Sequence, residues 1–267
     1  MSRRGRTRPP LALVGPAALG IAFLTIPLLA MVFLAPWRDL PRLLSSPHVV
    51  QALRLSLLTA TLSAALCLLV GVPLGWLLSR SNSRASRVIR ALVTVPLVLP
   101  PVVGGVALLL AYGRTGLVGR QLYAATGWQI PFTTVAVVLA QTFVALPFMV
   151  VTIEGAMRAA GEQLVEAAST LGASGWFAFR TVTLPLLGPS IAAGAVLSWA
   201  RALGEFGATV TFAGNLPGVT QAMPSAVYRA FESDPPTAVA LSLVLLLVSV
   251  TVLIAFRDRW RPGTTSW

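Results

Sequence analysis

The 267-residue sequence contains no lysine; all twenty of its basic residues are arginine. A phosphate-binding loop of the GxxxxGK[ST] type needs that lysine to reach the β- and γ-phosphates, so the chain carries no standard nucleotide-hydrolysing site of this kind. Acidic residues are scarce as well, eight Asp and Glu in all, and charged residues make up only 10% of the chain. A soluble domain carries roughly 25% charged residues. The deficit here, with 56% hydrophobic residues and a mean hydropathy of +0.81, excludes an ordinary soluble globule. The single cysteine, Cys67, precludes an internal disulfide, and within an apolar span it reads as a small packing residue. The single histidine, His48, is expected in a loop and gives no basis for a histidine-based metal site. The spans also lack the Asp, Glu and His clusters that proton-coupled carriers use.

What is present in abundance is apolar sequence. A helix needs ~20 apolar residues to cross ~30 Å of hydrocarbon, and six segments meet that length: 11–35, 52–78, 91–112, 133–153, 188–214 and 237–256. The first follows a basic stretch but is long enough to span and shows no cleavage site, so it reads as a retained helix rather than a signal peptide. Arginines then orient the chain. Arg3, Arg4, Arg6, Arg8, Arg80, Arg84, Arg87, Arg90, Arg158, Arg180, Arg257, Arg259 and Arg261 fall on one side. Only Arg38, Arg42, Arg114, Arg120 and Arg229 fall on the other. The positive-inside rule places both termini and the loop 163–185 in the cytoplasm. This distribution accounts for the net charge of +12 without a nucleic-acid partner. One membrane domain is expected: a basic cytoplasmic N-terminus at 1–10, six helices within 11–256 and a cytoplasmic tail at 257–267. About ten residues follow the last span, which predicts no large C-terminal regulatory domain.

Two stretches stand out from this background. The loop 163–185 is polar and bears Glu166, with Glu162 just before it, where its flanks are apolar. Leu164, Val165, Ala168 and Leu171 form one face of a short amphipathic helix, with Glu162, Gln163, Glu166, Ser169 and Thr170 on the other. Gly172 suits a C-terminal cap, Ser174 can N-cap a second element, and Leu184-Pro185 is predicted to end it. The product is a stiff knob, in which Ala167 and Ala168 permit close approach and Glu166 offers a charged acceptor. A surface-lying amphipathic helix would carry basic residues instead.

The second stretch, 199–215, places Arg201 and Glu205 four apart on one helical face. Ionisable residues at membrane depth pair or face a cavity. The pair therefore reads as a structural ion pair between helices or across a subunit interface, favoured over direct contact of Arg201 with an anion. Thr209 and Thr211, with Gly204 and Gly207, suit a polar pathway lining. In the third span, Pro96, Pro100 and Pro101 beside Gly104 and Gly105 predict an irregular helix, either a gate-capable pathway element or a packing kink.

Glu166-Ala167-Ala168, three residues, Gly172, nine residues, Val182, one residue, Leu184-Pro185 resembles the EAA loop of permease subunits in ABC importers. ArgAlaLeuGlyGluPheGlyAlaThr (201–209), PheAlaGlyAsnLeuProGlyValThrGln (212–221), GlyArgThrGlyLeuValGlyArg (113–120), AlaGlnThrPheValAlaLeuProPhe (140–148) and LeuGlyAlaSerGlyTrp (171–176) are similar to the molybdate branch of the molybdate/sulfate permeases. The resemblance runs through most of 50–255 and leaves the first 45 residues uncovered. Val182 stands where isoleucine is usual, and Ala222-Met223 where threonine–leucine is more frequent.

The resemblance implies an all-α integral membrane protein with six transmembrane helices and a type I ABC importer permease architecture with cytoplasmic coupling helices. It implies a non-catalytic subunit that binds no cofactor or metal, with ATP used by a partner. The implied assembly is a homodimer with two ABC ATPase subunits inside and an extracytoplasmic oxyanion-binding protein outside, in a bacterial or archaeal plasma membrane. Glu166, Ala167, Ala168, Gly172, Leu184 and Pro185 are the implied ATPase-coupling residues. A sulfate, thiosulfate or tungstate permease is the alternative within this class. An ATPase-independent secondary transporter is the alternative outside it, although no internal repeat supports that reading.

Overall fold

The architecture comes from a computed structural model that describes residues 11–160, 170, 172 and 174–255. Among them all regular structure is helical. The elements are α1 (Leu11–Phe33), α2 (Leu40–Leu44), α3 (Pro47–Ser79), α4 (Arg84–Val98), α5 (Pro101–Tyr112), α6 (Gly119–Thr126) and α7 (Thr134–Ala160). There follow α8 (Gly175–Ala178), a π-helical turn (Phe179–Thr183), α9 (Leu184–Leu203), α10 (Gly207–Phe212), α11 (Met223–Ser233) and α12 (Pro235–Ala255). Five helices are long and apolar enough to cross a membrane: α1, α3, α7, the continuous Gly175–Leu203 segment and α12.

The third expected span, 91–112, is realised differently. It is two helices, α4 and α5, that meet at Leu99 and Pro100, both extended with ψ of 134° and 132°. A residue before proline is pushed out of the helical region, and two consecutive prolines lack the donors to carry the ladder across. Pro96 is accommodated inside α4, and Pro101 opens α5 at a position where a missing N–H costs nothing. The fifth span, expected over 188–214, starts earlier and breaks at Gly204–Phe206 before α10.

The core forms where α3, α7 and α9 pack together. Ala60, Cys67 and Val72 meet Ala145, Met149 and Ile153, and Leu187, Ala202 and Leu203 close the cluster. Small residues let the backbones approach, as at Gly75, where an added Cβ would lie 2.8 Å from the Val150 carbonyl oxygen. A second cluster joins Leu108 of α5, Val137 and Val144 of α7, and Ala208 and Phe212 of α10. A third joins Val49 and Ala52 of α3 to Met223 and Ala230 of α11 and Leu241 of α12. Buried polar groups cross-link these layers: Thr142 Oγ1 donates to Ser63 Oγ at 3.2 Å, Ser198 Oγ to the Ala145 carbonyl at 3.3 Å, and Met223 N–H to Ser56 Oγ at 2.6 Å. By contrast the apolar window of α1 buries none of its residues within the chain, so this helix lies at the periphery.

Candidate functional site

Three groups of residues distinguish this bundle from inert membrane helices. The first lies at the end of the bundle where α3 finishes and α8 begins. Gly172 has φ +83°, the left-handed conformation expected of a glycine cap. Ser174 caps α8 as predicted, its hydroxyl accepting from Phe177 N–H at 3.3 Å. Glu166, Ala167 and Ala168, and with them most of the expected amphipathic helix, lie outside the described residues.

The aromatic side chains of this end form a chain of contacts. Trp176 stacks on Phe179 with centroids 5.7 Å apart, Phe179 meets the edge of Trp76 at 5.2 Å, and the Arg80 guanidinium sits 5.0 Å above Trp76. The short α8 is thereby anchored to the last turn of α3. Trp176 and Phe177 nevertheless keep 71% and 59% of their surface exposed.

Leu184-Pro185 does not end this element, contrary to the sequence expectation. Leu184 N–H donates to the Phe179 carbonyl, five residues back, and the helix continues through Pro185 into α9. The wide π turn places proline at the start of the next α segment, where its missing donor is tolerated. Gly175–Leu203 is consequently one 29-residue rod.

The second group, at the same end, was missed by sequence reasoning. Glu154 of α7, with only 9% of its side chain exposed, accepts at one oxygen from Arg90 Nε at 2.7 Å and from Arg158 Nη2 at 2.8 Å. Arg90 also donates through Nη2 to the Leu78 carbonyl at 3.0 Å, satisfying an orphan acceptor at the end of α3. Arg90 thus ties α3, α4 and α7 together, bonding the Leu78 carbonyl of α3 and the Glu154 carboxylate of α7. The i,i+4 spacing of Glu154 and Arg158 was visible in the sequence; the pairing with Arg90, 64 residues away, was not.

The third group is the interruption of the fifth span. Arg201 Nη1 lies 2.6 Å from Glu205 Oε2, and Glu205 is 1% exposed. Its other oxygen accepts from Ala208 N–H at 2.7 Å, at the start of α10. A single buried carboxylate therefore pairs with the last turn of α9 and satisfies a free donor of α10. Within this chain the ion pair is an i,i+4 contact that spans the end of α9 and the break before α10. Phe206, within the break, packs on Tyr228 of α11 with centroids 5.1 Å apart. Hydrogen bonding to Glu232, and then its negative charge, push the Tyr228 phenol above its usual pKa.

The two threonines differ. Thr211 is half-buried and donates to the Gly207 carbonyl at 2.7 Å; Thr209 is fully buried and donates to the Phe206 carbonyl at 2.8 Å. Thr209 is packed here and does not line an open path. The interrupted third span lies directly against the interrupted fifth. An added Cβ at Gly207 would come within 2.9 Å of Pro101 Cβ, and one at Gly105 would overlap Thr211 Oγ1. The structure thus brings Pro101 and Thr211 to one α5–α10 contact. Among the described residues, no three His, Cys, Asp or Glu side chains gather as a metal site.

The comparisons with known proteins place this broken-helix bundle in a family. Residues 71–264 match the family described as binding-protein-dependent transport system inner membrane component. The chain belongs to that family. It is a membrane permease subunit of such a transport system and a multi-pass inner-membrane protein. The molybdenum transport system permease protein ModB of Mycobacterium tuberculosis is 49% identical over 93% of this chain and 94% of its own length. Its counterpart in Escherichia coli is 38% identical over 79% and 92%. The molybdate/tungstate transport system permease protein WtpB of Thermococcus kodakarensis is 35% identical over 92% and 94%.

Among solved structures, a bacterial ABC transporter involved in import of the acidic polysaccharide alginate superposes with a TM-score of 0.71 at 18% identity, covering 95% of both chains. The inward-facing MetNI methionine ABC transporter gives 0.63 at 19% identity, covering 79% of this chain and 96% of that one. These two likenesses bear on the fold alone, and support the all-α permease architecture.

Proposed function

We propose that this chain is the permease subunit of an ATP-driven molybdate importer, forming the translocation path as a homodimer. Two ABC ATPase subunits dock on the cytoplasmic side, and an oxyanion-binding protein delivers cargo from outside. The observation that carries the reading is the 49% identity to molybdenum transport permeases over nearly the whole chain. The residues of 201–212 that resemble the molybdate branch form the broken-helix site.

The geometry supplies a mechanism. The ATPase subunits grip the knob around Glu166, Ala167, Ala168 and Gly172, with the exposed Trp176 and Phe177 adding apolar anchorage. Movement of the knob is carried along the Gly175–Leu203 rod, about 43 Å at a rise of about 1.5 Å per residue, to the break at Gly204–Phe206. Pro185 sits within this rod rather than at its end. The Glu154–Arg90 clamp makes α3, α4 and α7 follow as one body. At the far end of the rod, α10 bears on α5 through the Gly105–Thr211 contact, so the segment opened by Pro100 and Pro101 moves with it and acts as the gate. Both termini are cytoplasmic in this orientation, with residues 11–256 as the membrane domain and 257–267 as its tail.

Tungstate is a second cargo to test, because one relative is a molybdate/tungstate permease. The discriminating experiment is uptake of labelled molybdate into proteoliposomes containing the full complex, challenged with tungstate, sulfate or thiosulfate. Inhibition by tungstate and not by sulfate is expected. Uptake that ignores molybdate and responds to sulfate overturns the assignment.

A further inference from the structure

The end of the bundle opposite Gly172 holds a cavity that none of the preceding mechanism uses. It has a volume of about 480 Å³ and lies where α2, α3, α11 and α12 converge. The 33 residues of α3 place it about 50 Å from the coupling end, at a rise of about 1.5 Å per residue. Arg42 from α2 and Arg229 from α11 line it, together with His48, Ser46 and Gln221.

Three features suit this cavity to an anion. Arg42 and Arg229 both line the cavity, and neither has a carboxylate within 4.0 Å among the described residues, so two guanidinium groups are available to it without an ion pair. Gln221 is 6% exposed and its Nε2 is buried with no hydrogen-bond partner. A buried amide donor left unsatisfied is costly; this nitrogen has no accessible surface of its own, so an acceptor in the cavity satisfies it once the Gln221 side chain turns toward the space. The first turns of α3 and α12 also border the space and contribute partial positive charge. Opposing them are the carboxyl end of α11 and Asp234, whose carboxylate accepts from Thr237 Oγ1. The two arginines outnumber the one acid.

Gln221 is held on a rigid support. Its N–H donates to the Leu216 carbonyl at 3.0 Å, as does that of Thr220 at 2.9 Å, while Thr220 Oγ1 accepts from Leu216 N–H at 2.9 Å. Thr134 Oγ1 fastens the same loop to α7 through the Val219 carbonyl at 2.9 Å, and Ser56 fastens Met223 to α3. The loop is therefore stapled on both sides of Gln221.

We infer that this cavity is a binding site for a tetrahedral oxyanion, with Arg42 and Arg229 as its charged clamps and the Gln221 amide turning in as a donor. It is separate from the broken-helix path at Arg201–Glu205. In the orientation proposed above it faces outward. The same chemistry is offered by a free dianion and by the phosphate of a lipid headgroup, and the experiment distinguishes them.

The purified full-length chain in detergent is titrated with sodium tungstate by equilibrium dialysis, with metal analysis, before and after removal of bound lipid. Native mass spectrometry follows retained phosphatidylglycerol. The wild type is expected to bind one tungstate per chain saturably, and Arg42→Gln/Arg229→Gln to weaken it at least tenfold. Gln221→Leu serves as a second, uncharged variant, expected to weaken binding about fivefold. If tungstate binds only after delipidation, and wild type but not Arg42→Gln/Arg229→Gln retains phosphatidylglycerol, the site is a headgroup site. Binding of neither probe, or equal binding by the variants, overturns the inference. The readout needs no ATPase and no transport, so its failure leaves the molybdate assignment standing, and failure of molybdate uptake leaves this site standing.

Discussion

Glu154 is the residue whose removal tests the mechanical reading most sharply. Substitution by alanine deletes both limbs of the clamp at once. The Arg158 limb joins a side chain 52% exposed, for which an ion pair contributes about 0.2–1 kcal/mol. The Arg90 limb is different, because that guanidinium is 27% exposed and its carboxylate partner 9%. A hydrogen bond to a charged group in such a site contributes about 1.5–3 kcal/mol, and Arg90 keeps its bond to the Leu78 carbonyl when Glu154 is lost. The sum is about 2–4 kcal/mol. Thermal unfolding of the detergent-solubilised chain should fall accordingly. A double-mutant cycle of Glu154→Gln with Arg90→Gln should give a coupling of at least about 1 kcal/mol, and with Arg158→Gln less than about 0.5 kcal/mol. In the assembled complex, Glu154→Ala should let the ATPase turn over with less transport per ATP. Wild-type stability together with zero Arg90 coupling would refute the claim that the Glu154–Arg90 pair binds α7 to the α3–α4 end.

Three further outcomes follow from the same contacts. Gly105→Ala should destabilise the chain by about 1–3 kcal/mol through overlap with Thr211, and Thr211→Ala added to it should restore part of the loss, measured by thermal unfolding. Arg201→Met should cost more than the paired Arg201→Met/Glu205→Gln, because the single change leaves a buried carboxylate without its cation, a loss of about 3–5 kcal/mol; equal stability of the two contradicts a structural pair. Trp176→Ala should weaken co-purification of the ATPase subunits while lowering the unfolding temperature only slightly, since its ring stacks on Phe179 but is largely exposed.

Much of this was legible in the sequence where the governing physics is local. Apolar runs set the helices, Ser174 and Gly172 marked their turn, and the spacing of Arg201 and Glu205 placed them together. Local reasoning failed where a neighbour decides. Hydropathy runs unbroken through Pro100, so the division of the third span showed only as three prolines, without the position of the break. Pro185 reads as a helix stop until the π turn before it is seen. The Arg90–Glu154 contact and the fit of Gly105 on Thr211 depend on tertiary packing, for which no periodicity gives a sign. Gln221 belongs to the same class: its sequence neighbourhood points to a family, whereas its unpaired buried nitrogen is apparent only in the folded loop.

The central claim is that ATP hydrolysis in a partner drives this chain through the knob at 163–185. The direct measurement is substrate-stimulated ATP turnover and molybdate uptake by proteoliposomes holding the full complex, with wild type and Gly172→Pro compared. Proline cannot adopt the φ of +83° found at Gly172, so the cap is lost while the spanning helices remain. The account predicts that the variant inserts, yet shows neither stimulated hydrolysis nor uptake. Normal stimulated turnover with Gly172→Pro, or uptake by the chain alone under an ion gradient, would contradict it.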